Sequence, residues 1–180
     1  MSTRSILPIL LFALSRAAAA QDAAFVIRGA RVFDGAQVVG VRDVLVRDGR
    51  IAQVAPSVTA PAGTQVVNAA GMTLLPGFID AHTHTFADVL PQALAFGVTT
   101  QLEMFTDHRL ASRWREEQNA GRANDRADVF SAGTMVTAPR GHGTQFGLAI
   151  PTITTPDSAQ ACVDARNAAG SDYIKIVYDD

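Results

Sequence analysis

Apolar and polar positions change rhythm once along this chain. Between residues 24 and 70 the apolar residues come in short runs that alternate roughly by two. Residues 25–32, 41–46, 50–54 and 65–68 are four such runs. Asp34-Gly35 and Asp48-Gly49 separate the first three, and Asp-Gly between alternating runs signals a tight hairpin. Pro56, Pro61 and Gly63 mark a loop before the fourth. The pattern predicts a small β unit in which no residue suggests catalysis. From Met72 onward strands and helices alternate, which argues for a parallel sheet in an α/β fold. The spacing predicts strands over 73–82, 98–104, 127–135 and 173–177. It predicts helices over 87–96, 107–122 and 156–169, with Trp114 half exposed on the second. Gly97 and Gly170 close the first and third helices. Pro156 and Asp157 open the third, proline by its fixed φ and the acid by meeting the positive helix end. A Gly- and Pro-containing loop fills 136–155.

Ahead of this pattern, residues 1–20 predict a signal peptide. Arg4 follows the amino terminus, 6–14 are apolar, and the alanines at 17–20 offer a cleavage site before Gln21. The apolar stretch is too short to span a bilayer. Neither a lipid-accepting cysteine nor a twin arginine is present, so general export to a periplasm or the exterior is expected, with no membrane attachment after removal.

Composition narrows the class. The 180 residues carry a net charge of −2 and 48% hydrophobic residues, which suits a globular α/β protein and gives no basic stripe for nucleic acid. The single cysteine, Cys162, has no internal disulfide partner and reads as a small core residue of the third helix.

Two places carry candidate chemistry. His82 and His84 end the first predicted strand of the α/β region at a spacing of i, i+2, which aims both imidazoles to one face. Imidazole is a common zinc ligand, and the C-terminal ends of parallel strands are where sites are built. A polar strand end is the alternative for the pair alone. Lys175 is the only lysine; the other 14 permanent cations are arginines. It stands between Ile174 and Ile176, an expensive place for a charge. An amine, unlike a guanidinium, loses its proton and reacts with carbon dioxide, and the resulting carbamate can bridge two metals. A lysine snorkelling toward Asp179 or Asp180 fits the position equally well. His142 lies in Gly141-His142-Gly143, where a backbone can approach a ligand, although a surface histidine would look the same. Arg140 suits a substrate carboxylate. Glu103 and Asp107 fall at the second strand's end as candidate supporting groups. His108 reads as a surface residue at a helix start, and Asp80 shares the parity of the two histidines.

These residues carry a resemblance. The segment 76–84, with Pro76, Gly77, Ile79, Asp80, His82 and His84, resembles the first barrel strand of the amidohydrolase superfamily, P-G-x-I-D-x-H-x-H. Gly97-Val98-Thr99-Thr100 resembles its second strand. Asp172-Tyr173-Ile174-Lys175-Ile176 resembles the fourth-strand segment of the imidazolonepropionase-like and prolidase-like branches. Residues 24–70, with Val46, Gly49 and Ile51, are similar to the N-terminal part of the small β-sandwich subdomain before the barrel. The resemblance implies an α/β fold in which 71–180 form the first half of a (β/α)8 TIM-type barrel. A whole barrel takes about 250 residues, so a fragment with an open sheet edge is expected.

By the same resemblance His82 and His84 bind the more buried of one or two divalent metal ions, zinc in most members. Lys175, carboxylated, bridges them, and His142 faces substrate. Later strands supply further histidines and a general-base aspartate, expected beyond Asp180, so the catalytic residue is unknown in this sequence. The implied reaction is hydrolysis of a carbon–nitrogen bond in a small-molecule amide, cyclic amide or dipeptide by a metal-activated water. The rival is a catalytically incomplete homologue or a metal-binding module, and a homo-oligomer stays possible.

Overall fold

The computed structural model describes residues 24–86, 88–147 and 149–178; the predicted signal peptide at 1–20 lies outside them, as do Asp179 and Asp180. Two compact units divide between Pro76 and Gly77.

In the first unit, β1 (Phe25–Phe33) pairs antiparallel with β2 (Val38–Arg47), and β2 with β3 (Arg50–Ala55). β4 (Gln65–Asn68) and β5 (Thr73–Leu74) both run parallel to β1, giving one five-stranded mixed sheet. The β2–β3 turn is Asp48-Gly49 with φ of 52° and 70°. Two successive positive φ values define the type I′ hairpin, whose twist matches its strands. Val26, Leu45 and Val58 form one core cluster of this unit, and Ala30, Val32, Val44 and Ala69 form another. The carboxylate of Asp43 accepts the Gly29 and Val58 amides at 3.0 and 3.1 Å and the Arg28 guanidinium at 2.8 Å. The Val58 amide, then the Gly29 amide, hold its pKa below the usual carboxylate range. Asp43 therefore ties loop 56–64 to the sheet.

The second unit begins with a difference from expectation. The run 73–82, one strand by pattern, is two. Thr73 and Leu74 pair with β1, whereas β6 (Phe78–Thr83) starts the second sheet. Pro76 has no N–H to donate, so the ladder stops there. It resumes where Phe78 N donates to Gly97 O at 2.9 Å. β6, β7 (Val98–Glu103) and β8 (Asp128–Ser131) are parallel in that order. The crossovers carry α1 (Val89–Ala95) and α2 (His108–Asn119), and α3 (Pro156–Ala168) follows a long loop.

Local chemistry sets the ends. Asp107 caps α2 by accepting the Arg109 amide at 2.8 Å. Thr155 and Ser158 form a reciprocal capping box on α3. Gly97, at φ 86°, closes α1 as a left-handed cap donating to Leu94 O at 3.0 Å.

Two further expectations are corrected. Trp114 is buried, 6% exposed, in a cluster with Leu90, Ala127 and Val129. Its arginine neighbours in sequence suggested an exposed face, but helical spacing puts Ala111 and Trp114 together on the inner one. The segment 173–177 is not a regular strand. Its one bridge, Ile176 to Val136, is parallel and isolated, on the chain beyond the end of β8. Val136 N donates to Lys175 O at 2.8 Å and Val177 N to Val136 O at 3.0 Å. β8 stops at Ser131, before the residues that would extend the ladder. Among the described residues no helix is long and apolar enough to cross a membrane.

Candidate metal centre

The register between β6 and β7 slips inside the histidine motif. Asp80 pairs with Gln101 but Thr83 with Glu103, so three residues of β6 oppose two of β7. Such a bulge re-aims side chains and is frequent at barrel rims. The Asp80 side chain turns back onto its own strand and accepts the His82 amide at 3.2 Å. His82 and His84 nevertheless converge, with ring centroids 5.8 Å apart and planes at 73°. Imidazole nitrogen binds zinc at about 2.0–2.1 Å, so the two rings lie within the span of one ion. Both are exposed, and the donor type fits zinc or another divalent transition ion. Among the described residues no group of three His, Cys, Asp or Glu converges to complete the set.

Lys175 lies outside the three-stranded sheet, its carbonyl accepting the Val136 amide at 2.8 Å, and is half-buried. His142 sits on a turn before a short 3-10 segment (Thr144–Phe146) and is exposed. Its Nδ1 is 3.4 Å from Gln145 Nε2, and its ring meets Phe146 edge-on at 5.7 Å. Arg140, beside it, has a positive φ of 64°. His108 is the exposed first residue of α2. The histidines of β6 are thus brought together, while His142 packs within its own loop.

Behind the pair lies a polar layer that pattern reading missed in part. Glu103 is fully buried; its carboxylate accepts the Ser131 hydroxyl at 2.5 Å and the Phe105 amide at 2.7 Å. Burial pushes its pKa above 4.5, opposed by Ser131, by the Phe105 amide and by the charge of His84. Buried Thr85 donates to buried Gln101 at 2.8 Å and contacts the Thr83 hydroxyl at 3.1 Å. Gln101 and Glu103, at i, i+2 on one face of β7, were the available signal. Tyr173 reaches the same region: its hydroxyl lies 2.8 Å from Glu103 O and 2.9 Å from Phe130 O. Burial, then the Glu103 and Asp172 charges, push its pKa up, so it stays a phenol donor. At Asp107 the Arg109 side chain, then the Arg109 amide, lower the pKa to about 2.

A cleft of about 400 Å³ opens beside His84. Thr85 and Phe86 line it from the end of β6, Phe105 to Asp107 from the end of β7, and Thr134, Ala149 and Ile150 from later segments. Its size falls within the range of small-molecule sites.

The second unit is thus a parallel α/β segment with a histidine pair and a cleft at the C-terminal rim of its strands, a barrel-type arrangement. Comparison with known proteins narrows it. No family model matches the chain. The dihydroorotase of Mycobacterium tuberculosis is 48% identical over 58 residues, 32% of this chain and 13% of that protein. A putative prolidase from Bifidobacterium longum is 26% identical with a TM-score of 0.69, covering 87% of this chain and 41% of that one. Bottromycin amidohydrolase is 27% identical with a TM-score of 0.60, covering 89% of this chain and 34% of that one. The chain is similar to amidohydrolase-superfamily proteins in sequence and in fold, and these matches support a member of that superfamily. It spans less than half the length of these relatives and matches the N-terminal portion of the family barrel.

Proposed function

We propose that this chain carries the first part of the active site of a metal-dependent hydrolase of carbon–nitrogen bonds. Amide, cyclic amide and dipeptide substrates of small size are the class we assign. The observation that carries it is the convergence of His82 and His84 beside the cleft at the strand C-terminal rim. His82 and His84 would hold a divalent ion, zinc by donor type, and Lys175 in carboxylated form would share it. When bound, the ion supplies Lewis acidity and a water acidic enough to react near neutral pH. The protein's own part is positional: the β6 bulge aims the imidazoles, and Thr85, Gln101 and Glu103 form a fixed polar layer behind them. Phe86, Phe105 and Ile150 give the cleft apolar lining. The signal-like segment at 1–20 leads us to place this activity outside the cytoplasm.

The test is zinc and cobalt titration of the purified chain, followed by assay of dihydro-pyrimidine, Xaa-Pro and N-acyl amino acid substrates. Stoichiometric binding that His82→Ala and His84→Ala abolish supports the site. Equal binding by the variants overturns it. One observation favours a second reading: the described residues complete no three-ligand set. A chain that binds metal through the histidines but turns over no substrate is a metal-binding module.

A further inference from the structure

The Lys175 segment is attached to its sheet in an unusual way. A parallel strand is ordinarily held by an evenly spaced backbone ladder. Here the backbone bonds are few, and side chains take over. Asp172 N donates to Ser131 O at 2.9 Å, and Asp172 Oδ2 accepts the Ser131 amide and the Arg115 guanidinium, both at 2.8 Å. The Ser171 hydroxyl donates to Ala132 O at 2.7 Å. Three of these four contacts hold residues 171–172 to Ser131 and Ala132 at the end of β8, and the fourth ties Asp172 to α2. The next side chain, Tyr173, does something different: its one hydroxyl proton is shared between the carbonyls of Glu103 on β7 and Phe130 on β8. It spans two strands, and it stands two residues before Lys175 in the chain.

We propose that Tyr173 is a positioning residue for Lys175, fixing through the Glu103 and Phe130 carbonyls where the lysine amine stands relative to the strand ends. The inference rests on the Lys175 role proposed above. The wide reach of the phenol suits the task, because a shorter side chain at 173 would leave the segment held only by contacts at 171–172 and the bridge at Val136. The two carbonyls belong to strands that carry the polar layer behind His84, so the amine and that layer share one frame.

The single lysine makes the test clean. Wild type, Tyr173→Phe and Lys175→Arg are equilibrated with zinc and ¹³C-bicarbonate, and the carbamate carbon is read by NMR. The carbamate reaction joins the unprotonated amine nitrogen to the carbon of carbon dioxide and releases one proton. The signal missing from Lys175→Arg is that of Lys175; any residue is the amino terminus. Separately, the rate of Lys175 acylation by a succinimidyl ester is measured by mass spectrometry without zinc. Amide exchange over β6 to β8 serves as the check on fold. The expected result is that Tyr173→Phe lowers the Lys175 carbamate about fivefold, the population change for one net hydrogen bond, and alters the acylation rate by a similar factor with exchange over β6 to β8 unchanged. An acylation rate equal to wild type overturns the proposal. Absence of the carbamate from wild type with an altered acylation rate in Tyr173→Phe overturns the bridging role of Lys175 but upholds the positioning role of Tyr173.

Discussion

Glu103 and Ser131 are register partners on neighbouring parallel strands, and the serine hydroxyl donates to the glutamate carboxylate at 2.5 Å. The pair closes the polar layer behind the histidines, and it places an ionisable group where water does not reach. Its cost depends on pH with a definite sign. Burial raises the folded pKa of Glu103 above 4.5. Below that value both folded and unfolded chains are protonated and there is no penalty. As pH rises past 4.5 the unfolded chain ionises first, so the folded state loses stability until its own raised pKa is passed. Glu103→Gln keeps an acceptor for Ser131 but removes the ionisation. The difference in Tm between the variant and wild type grows with pH above 4.5 and is constant below it. A pH-independent difference would show that Glu103 titrates as in the unfolded chain.

The proposed centre makes each imidazole of the β6 pair a metal ligand. His82→Ala and His84→Ala each weaken zinc binding by more than roughly 100-fold, beyond the 10–100-fold effect of outer-shell partners. Equilibrium dialysis against zinc gives the constants. His108→Ala, on the exposed start of α2, leaves them unchanged.

Gly77 has no room for a side chain. A Cβ there would meet Thr99 Cγ2 at 2.2 Å, Oγ1 at 2.3 Å and Cβ at 2.8 Å. Gly77→Ala costs about 1–3 kcal/mol, the usual range for overpacking. In a chain already carrying Thr99→Gly the same substitution costs less, and a double-mutant cycle in urea measures the coupling. Equal costs in the two backgrounds would remove Thr99 as the cause.

The burial of Trp114 makes it a stability residue. Trp114→Ala opens a cavity among Leu90, Ala127 and Val129 and costs about 3–5 kcal/mol. Against a typical domain stability of about 5–15 kcal/mol this removes a large share, and circular dichroism melts report it. As the only tryptophan, Trp114 also gives wild type a blue-shifted emission that moves red on unfolding. Red emission from the folded protein would contradict the burial.

Much of this was legible in the sequence because it depends on local signals. Asp48-Gly49, Gly97 and the Pro156-Asp157 start each fix a turn or helix end through their own backbone preferences, and each stands where the pattern put it. The histidine pair was legible for the same reason: i, i+2 spacing is local. The β6 bulge was not, because register is a relation between two strands. Trp114 was misjudged since its sequence neighbours are charged while its spatial neighbours are apolar. The division at Pro76 was hidden inside a continuous apolar run. The irregular attachment of 173–177 was hidden too, since it arises from Ser131, Asp172 and Tyr173 acting across the fold. Family resemblance, carried by motifs at 76–84 and 172–176, reached the superfamily where single-residue reasoning stopped at a metal site.

The side-chain attachment of the Lys175 segment has an evolutionary consequence. Backbone ladder bonds are the same whatever the residue, so substitution cannot adjust them one at a time. Contacts made by Ser171, Asp172 and Tyr173 can each be lengthened, shortened or deleted by a single codon change. The placement of this segment is therefore heritable in small steps, independent of the sheet beside it.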